Sequence, residues 1–206
     1  MEIIYLIILK LINSYISMIL LILPFLRILK KNLISIEHRI GIIIFSFFII
    51  TIFTITGIPT INELYYNPNV NILLFRYFII IFYDYFFNII LFMPFGFFIA
   101  CLWEKFQNIK IAFLYGFLLS LFIEIFQLFG SRVTDINDLL TNTLGSIIGY
   151  EFFNIIRKVF PNIINKISLK KNMLYNNKII KYEFVIIIFL CWISIFLIRP
   201  FIENLL

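Results

Sequence analysis

Long apolar runs separated by short polar clusters recur along the whole chain. A bilayer core is roughly 30 Å thick, so a crossing helix needs about 20 mostly apolar residues. Six runs have that length, at about 5–26, 40–58, 82–102, 110–129, 138–156 and 183–199. They are continuous, without the short alternating segments of a membrane β-barrel. The expected fold class is therefore all-α: a polytopic transmembrane helical bundle of about six membrane-spanning helices in one integral membrane domain, residues 1–206. Lys10, Asn13 and Ser14 interrupt the first run and Pro24 bends its end. That run is too long for a signal-peptide core, and Leu23-Pro24-Phe25 is not a small-residue cleavage site, so it reads as a span. The stretch 70–83, apolar and aromatic with Arg76 inside, reads as an interfacial or re-entrant lead into the third span.

Composition agrees with this reading. Hydrophobic residues make up 63% of the 206 and charged residues 14%, whereas a soluble domain is roughly half apolar and about a quarter charged. A soluble enzyme and a disordered chain are both excluded. Cys101 and Cys191 lie inside apolar runs and read as packing residues, with no disulfide framework or zinc spacing. His38 stands among basic residues beside a helix end and is expected to be solvated, without a catalytic role.

The net charge of +6 suggests nucleic acid only until it is mapped. Arg27, Lys30, Lys31 and Arg39 fall in the first loop, Lys105 and Lys110 in the third, and Arg157, Lys158, Lys166, Lys170, Lys171, Lys178 and Lys181 in the fifth. These alternate loops hold thirteen of the seventeen Lys and Arg residues. The second loop (Glu63, Arg76) and the fourth (Arg132, Asp135, Asp138) are near neutral or acidic. The positive-inside rule then places both termini on the extracellular side of a multi-pass cell-membrane protein. The basic loop 157–182 lies against anionic lipid on the cytoplasmic side. No nucleic-acid partner is required, and membrane lipids are the expected surroundings.

The chemistry concentrates between residues 84 and 150. Glu124 stands mid-run, where insertion of a charged group costs about 2.5–3.5 kcal/mol, so it should face protein or a wet cavity. Gly116, Ser120, Glu124 and Gln127 share one helix face. Asp135, Asp138, Asn142, Gly145 and Gly149 form a matching stripe on the next helix, with Thr134 or Asp135 as its cap. The short connection 130–134 makes these two helices an antiparallel hairpin, which is expected to bring Glu124 and Asn142 to similar depth, with Arg132 at the mouth in reach of Asp135, Asp138 or a ligand anion. Asp84 and Asn88 add a third wall, and Pro94 and Gly96 mark a kink below them.

Each feature also has a purely structural reading. Pro94 to Gly96 is then a packing kink, Gly145 and Gly149 a helix contact, Asp135 a cap, and Arg132 a neutralising charge. Glu124 beside Gln127 is the hardest to explain by structure alone, because an ionisable residue inside a span marks a functional site by default.

Three blocks together resemble the VanZ-like family of bacterial membrane proteins: Asn88 to Phe98, Ser120 to Gln127, and Arg132 to Gly145 continuing to Gly149-Tyr150. Arg39, Thr51, Thr54 and Pro59 look like a weaker upstream feature of the same family. The resemblance covers a core of about 39–156 and leaves out the basic loop 157–182 and an extra C-terminal helix 183–199. Asn137 departs from the pattern, which often has a second acidic residue there. The family's founding member is associated with teicoplanin resistance, so the resemblance implies a bacterial inner-membrane protein linked to envelope stress or glycopeptide tolerance.

The leading expectation is an outer-leaflet binding protein. Asn88, Glu124, Gln127, Arg132, Asp135, Asp138 and Asn142 would line a polar cleft for a lipid headgroup, a cell-wall precursor lipid or a lipoglycopeptide. The alternative is a membrane enzyme modifying such a headgroup, with Glu124 as the candidate catalytic general base. Asp135 and Asp138 form an incomplete divalent site, so no metal and no cofactor are expected. A transporter and a docking module that uses the GxxxG face are the remaining classes.

Overall fold

The computed structural model describes residues 2–29, 34–66, 68–74, 78–171 and 178–205. Lys30, Lys31 and Arg76 lie outside the described residues. The long helices are α1 (Glu2–Ile28), α2 (Ile36–Ile55), α3 (Phe78–Leu102), α4 (Ile109–Gln127) and α5 (Ile136–Val159). A short α6 (Pro161–Ile167) follows, and α7 (Glu183–Glu203) contains a π-helical stretch at Ser194–Ile198. The protein is an all-α, multi-pass helical bundle.

Helix ends are set by local chemistry. The Ser35 side chain caps α2 by accepting from the His38 N–H, and Asn108 caps α4 by accepting from the Lys110 N–H. At the other end of α2, Gly57 adopts a left-handed φ of 76°, Ile58 N donates to Phe53 O and Gly57 N to Thr54 O. This is the Schellman ending, which glycine enters without Cβ strain. Arg39 donates to the Leu26 and Leu29 carbonyls at the last turn of α1, tying the first two helices together.

Five helices are long and apolar enough to cross a membrane: α1 from Ile4, α2, α3 from Phe82, α4 and α7. The fifth expected span, 138–156, is a full-length helix within α5. It falls short of the others in hydropathy because polar residues (Asp138, Asn142, Thr143, Ser146, Glu151) line much of it. Except for the exposed Glu151, these polar residues are buried or half-buried where α5 packs along α3 and α4. Lys10 near the start of α1 and Arg199 near the end of α7 both contact Glu63, which follows α2. Both ends of the chain therefore share one end of the bundle with the α4–α5 turn.

The basic loops gather at the opposite end. The segment after α6 is held there by Glu104 N donating to Leu169 O and Leu169 N donating to Leu102 O. His38 is not solvated as expected but buried, at 1% exposure. Its Nδ1 lies 2.8 Å from Ile167 O and its Nε2 2.9 Å from Glu183 Oε2, which also accepts from Trp103 Nε1 at 2.8 Å. The expectation failed because the partners lie across the fold, Glu183 on α7 and Ile167 at the end of α6. Cys101 and Cys191 are buried and unpaired with each other, as packing residues.

The stretch 70–83 divides. Val70–Asn71 forms a two-residue strand, β1, paired in parallel with Thr134–Asp135, β2, and α3 already begins at Phe78.

Candidate functional site

The two polar helices meet as a hairpin. Asp135 caps α5, its Oδ1 accepting from the Asn137 N–H at 2.8 Å. Glu124 Oε2 accepts from the Asp135 N–H at 2.9 Å, and Thr134 Oγ1 donates to the Glu124 carbonyl at 3.1 Å. One turn deeper, Asn142 Nδ2 donates to Ser120 Oγ at 2.9 Å, and further along the two helices Ser146 Oγ donates to Ala112 O at 2.9 Å. Asn142 is thus level with Ser120 rather than with Glu124. The Glu124 carboxylate reaches the amide that opens α5, and this sets the register about one turn away from equal depth.

Close backbone approach brings in the third wall. A Cβ at Gly145 would collide with the Ile89 carbonyl, one at Gly149 with the Met93 carbonyl, and one at Gly96 with the Ser146 carbonyl. These glycines are where α3 and α5 touch main chain to main chain. Pro94 sits between them inside a helix that continues unbroken to Leu102. On this frame Asn88 Nδ2 reaches Asp138 Oδ1 at 2.7 Å.

The result is a cavity of about 650 Å³ at the end shared by the chain termini. All seven residues expected to line a cleft do line it: Asn88, Glu124, Gln127, Arg132, Asp135, Asp138 and Asn142. Asp84, Tyr85 and Thr56 join them. Arg132 does not pair with Asp135 or Asp138 among the ion pairs of the described residues; its Nη2 donates to Ile55 O at 3.1 Å, over Gly57. It also lines a neighbouring cavity of about 690 Å³ with Lys10, Glu63 and Arg199.

Hydrogen-bond accounting defines the chemistry. Gln127 Nε2 donates to Thr56 O, Asn142 Nδ2 to Ser120 Oγ, and Asn88 Nδ2 to Asp138 Oδ1. Glu124 Oε1, Gln127 Oε1 and Asn142 Oδ1 are buried oxygens without a hydrogen-bond partner. Their residues are only 5%, 4% and 1% exposed. Orphaned buried acceptors cost about 1–3 kcal/mol each, and native structures keep few of them. Asp135 Oδ2 is already occupied by Asn71 Nδ2 at 2.9 Å. Among the described residues no three His, Cys, Asp or Glu side chains could hold a metal ion together.

Some contributors escaped the sequence reading. Asn71 holds Asp135 from β1, and Thr56 holds Gln127 from the end of α2. Asn137 Nδ2 donates both to Leu73 O and to Asp135 Oδ1. A carboxylate at 137 could donate neither bond, which explains how this turn accommodates its departure from the acidic pattern. Pro68 and Asn69 are turn residues beside Asn71, but nothing local showed that 70–71 pairs with 134–135.

No curated protein and no solved structure matches the chain. The family model described as VanZ/LLP1 matches residues 40–157, more than half of the sequence. That span contains every residue expected to line the cavity, together with the glycines that bring α3 and α5 into contact. The chain is accordingly a member of the VanZ/LLP1 family.

Proposed function

We propose that this membrane protein binds the polar part of an outer-leaflet lipid, a cell-wall precursor lipid or a lipoglycopeptide in the cavity between α3, α4 and α5. One observation carries this reading: three buried oxygens without a hydrogen-bond partner belong to Glu124, Gln127 and Asn142, which line a common cavity. A ligand that supplies donors removes that cost. The basic loops at the opposite end support an orientation in which the cavity opens outwards, by the positive-inside rule. Teicoplanin-type tolerance would follow if the occupant were a lipoglycopeptide or the precursor lipid it attacks.

Native mass spectrometry of the purified protein with its co-bound lipids tests the reading, alongside lipoglycopeptide susceptibility of cells expressing it. Glu124→Gln and Arg132→Ala should each lose the bound species and the tolerance. If both variants keep both, the binding role fails. Orientation is checked separately. A cysteine introduced at Arg132 should react with an impermeant maleimide on intact cells and one at Lys171 should not, since Cys101 and Cys191 are buried and silent.

A second reading is a lipid-modifying membrane enzyme with Glu124 as general base. The specific support is Glu124, which lines the cavity and whose buried Oε1 has no hydrogen-bond partner. Turnover of radiolabelled lipid by purified protein, lost in Glu124→Gln, would favour it, and the same assay with EDTA reports any dependence on a divalent ion.

A further inference from the structure

Building on the lipid-binding reading, we infer that the cavity is selective for a primary ammonium group, so that the occupant is an aminophospholipid of the phosphoethanolamine type. The buried side-chain atoms of the lining residues that lack a partner are all acceptors. The amides of Asn88, Gln127 and Asn142 each give one N–H to a protein acceptor. The oxygens of Glu124, Gln127 and Asn142 are left over. A ligand hydroxyl brings a single donor to three unpartnered oxygens. An ammonium has three N–H donors and no acceptor, which matches three unpartnered oxygens.

Charge points the same way. Four carboxylates line the cavity (Asp84, Glu124, Asp135 and Asp138) against one guanidinium, Arg132. A cation is favoured, and one that brings its own hydrogen bonds is favoured over a choline-type quaternary amine, which has none. A divalent metal is disfavoured because no three His, Cys, Asp or Glu side chains among the described residues converge on one point. Arg132, shared with the neighbouring cavity that Lys10 and Arg199 also line, is the lining cation that a phosphate next to the amine would pair with. Lys10 and Arg199 fall outside the family-matched residues 40–157, so that shoulder is built partly by this chain's flanking helices.

The test uses the full-length wild-type protein in detergent and native mass spectrometry with a methylation series. The lipids are phosphatidylethanolamine, its N-methyl and N,N-dimethyl forms, phosphatidylcholine, and phosphatidylglycerol as the amine-free control. Affinity should fall at every methylation. Phosphatidylethanolamine should bind at least about tenfold more tightly than phosphatidylcholine or phosphatidylglycerol, the scale of one charge-assisted hydrogen bond. Glu124→Gln, checked for folding by its melting temperature, should lose phosphatidylethanolamine binding down to the level of phosphatidylcholine. Soluble glycerophosphoethanolamine added in excess should compete; failure to compete places the selectivity in the acyl chains and overturns the inference. Phosphatidylglycerol bound as tightly as phosphatidylethanolamine, with both lost in Arg132→Ala, would overturn the ammonium selectivity and leave lipid binding standing. Binding of none of the lipids overturns the lipid reading as well.

Discussion

The Glu124 side chain, which lines the cavity, accepts the backbone N–H of Asp135 through one oxygen, at 2.9 Å, and leaves the other buried without a partner. The same carboxylate therefore closes the α4–α5 turn and contributes to the candidate site. The two roles separate by substitution. Glu124→Ala orphans the Asp135 amide and should lower stability by about 1–3 kcal/mol. Glu124→Gln can still accept from that amide while presenting N–H groups to the cavity, so it should keep most of the stability and lose the ligand. Thermal unfolding in detergent, measured beside lipid binding, distinguishes the two.

Gly145 and Gly149 face main-chain carbonyls of α3 with no room for a methyl group. Gly149→Ala should force α3 and α5 apart and cost about 1–3 kcal/mol or more, as overpacking does in other cores. The Asn88–Asp138 bond crosses the same interface, so the variant should also bind ligand less tightly. An unchanged melting temperature in Gly149→Ala would contradict the close approach.

His38 and Glu183 are joined inside the opposite end, with side chains 2% and 0% exposed. Removing one partner strands a buried polar group, so His38→Ala or Glu183→Ala alone should cost about 3–5 kcal/mol. Replacing both with apolar residues of similar volume should recover part of that loss, because a buried pair carries a desolvation cost of its own. Recovery should stay incomplete, since Trp103 Nε1 and the Ile167 carbonyl lose their partner. A double-mutant cycle by thermal unfolding measures the coupling.

Glu63 lies in the loop after α2, near Lys10 (3.6 Å) and Arg199 (3.2 Å). Partial burial pushes its carboxyl up, but the Thr60 backbone N–H, Arg199 and Lys10 outweigh that and hold it below its ordinary value of 4.5. A carboxyl lowered in the folded state stabilises above the unfolded value and loses that contribution as pH falls through the folded one. Stability should therefore decline on acidification below about pH 4.5, and Glu63→Gln should flatten that limb. Because Glu63 is 45% exposed, added salt should shrink the difference. Identical acid limbs for the two proteins would remove Glu63 from the account.

Much of this architecture is readable residue by residue. Apolar runs of membrane-crossing length marked the helices, since bilayer thickness and helix rise fix how many residues a span needs. A spacing of three and four placed Gly116, Ser120, Glu124 and Gln127 on one face, and all four are buried toward the bundle. The seven cavity-lining residues were legible for the same reason, because polar groups inside apolar helices have to converge on one another or on water.

Contacts between distant segments were decided by packing alone. His38 pairs with Glu183 across 145 positions, and Asn71 with Asp135 across 64. Periodicity reports which way a side chain faces, not which segment meets it. The Asn142–Ser120 level depends on where one carboxylate found an amide, and the three unsatisfied oxygens emerge only after every donor around them has been assigned. Helix geometry is local, so composition and spacing encode it; hydrogen-bond satisfaction is a property of the whole packed interior.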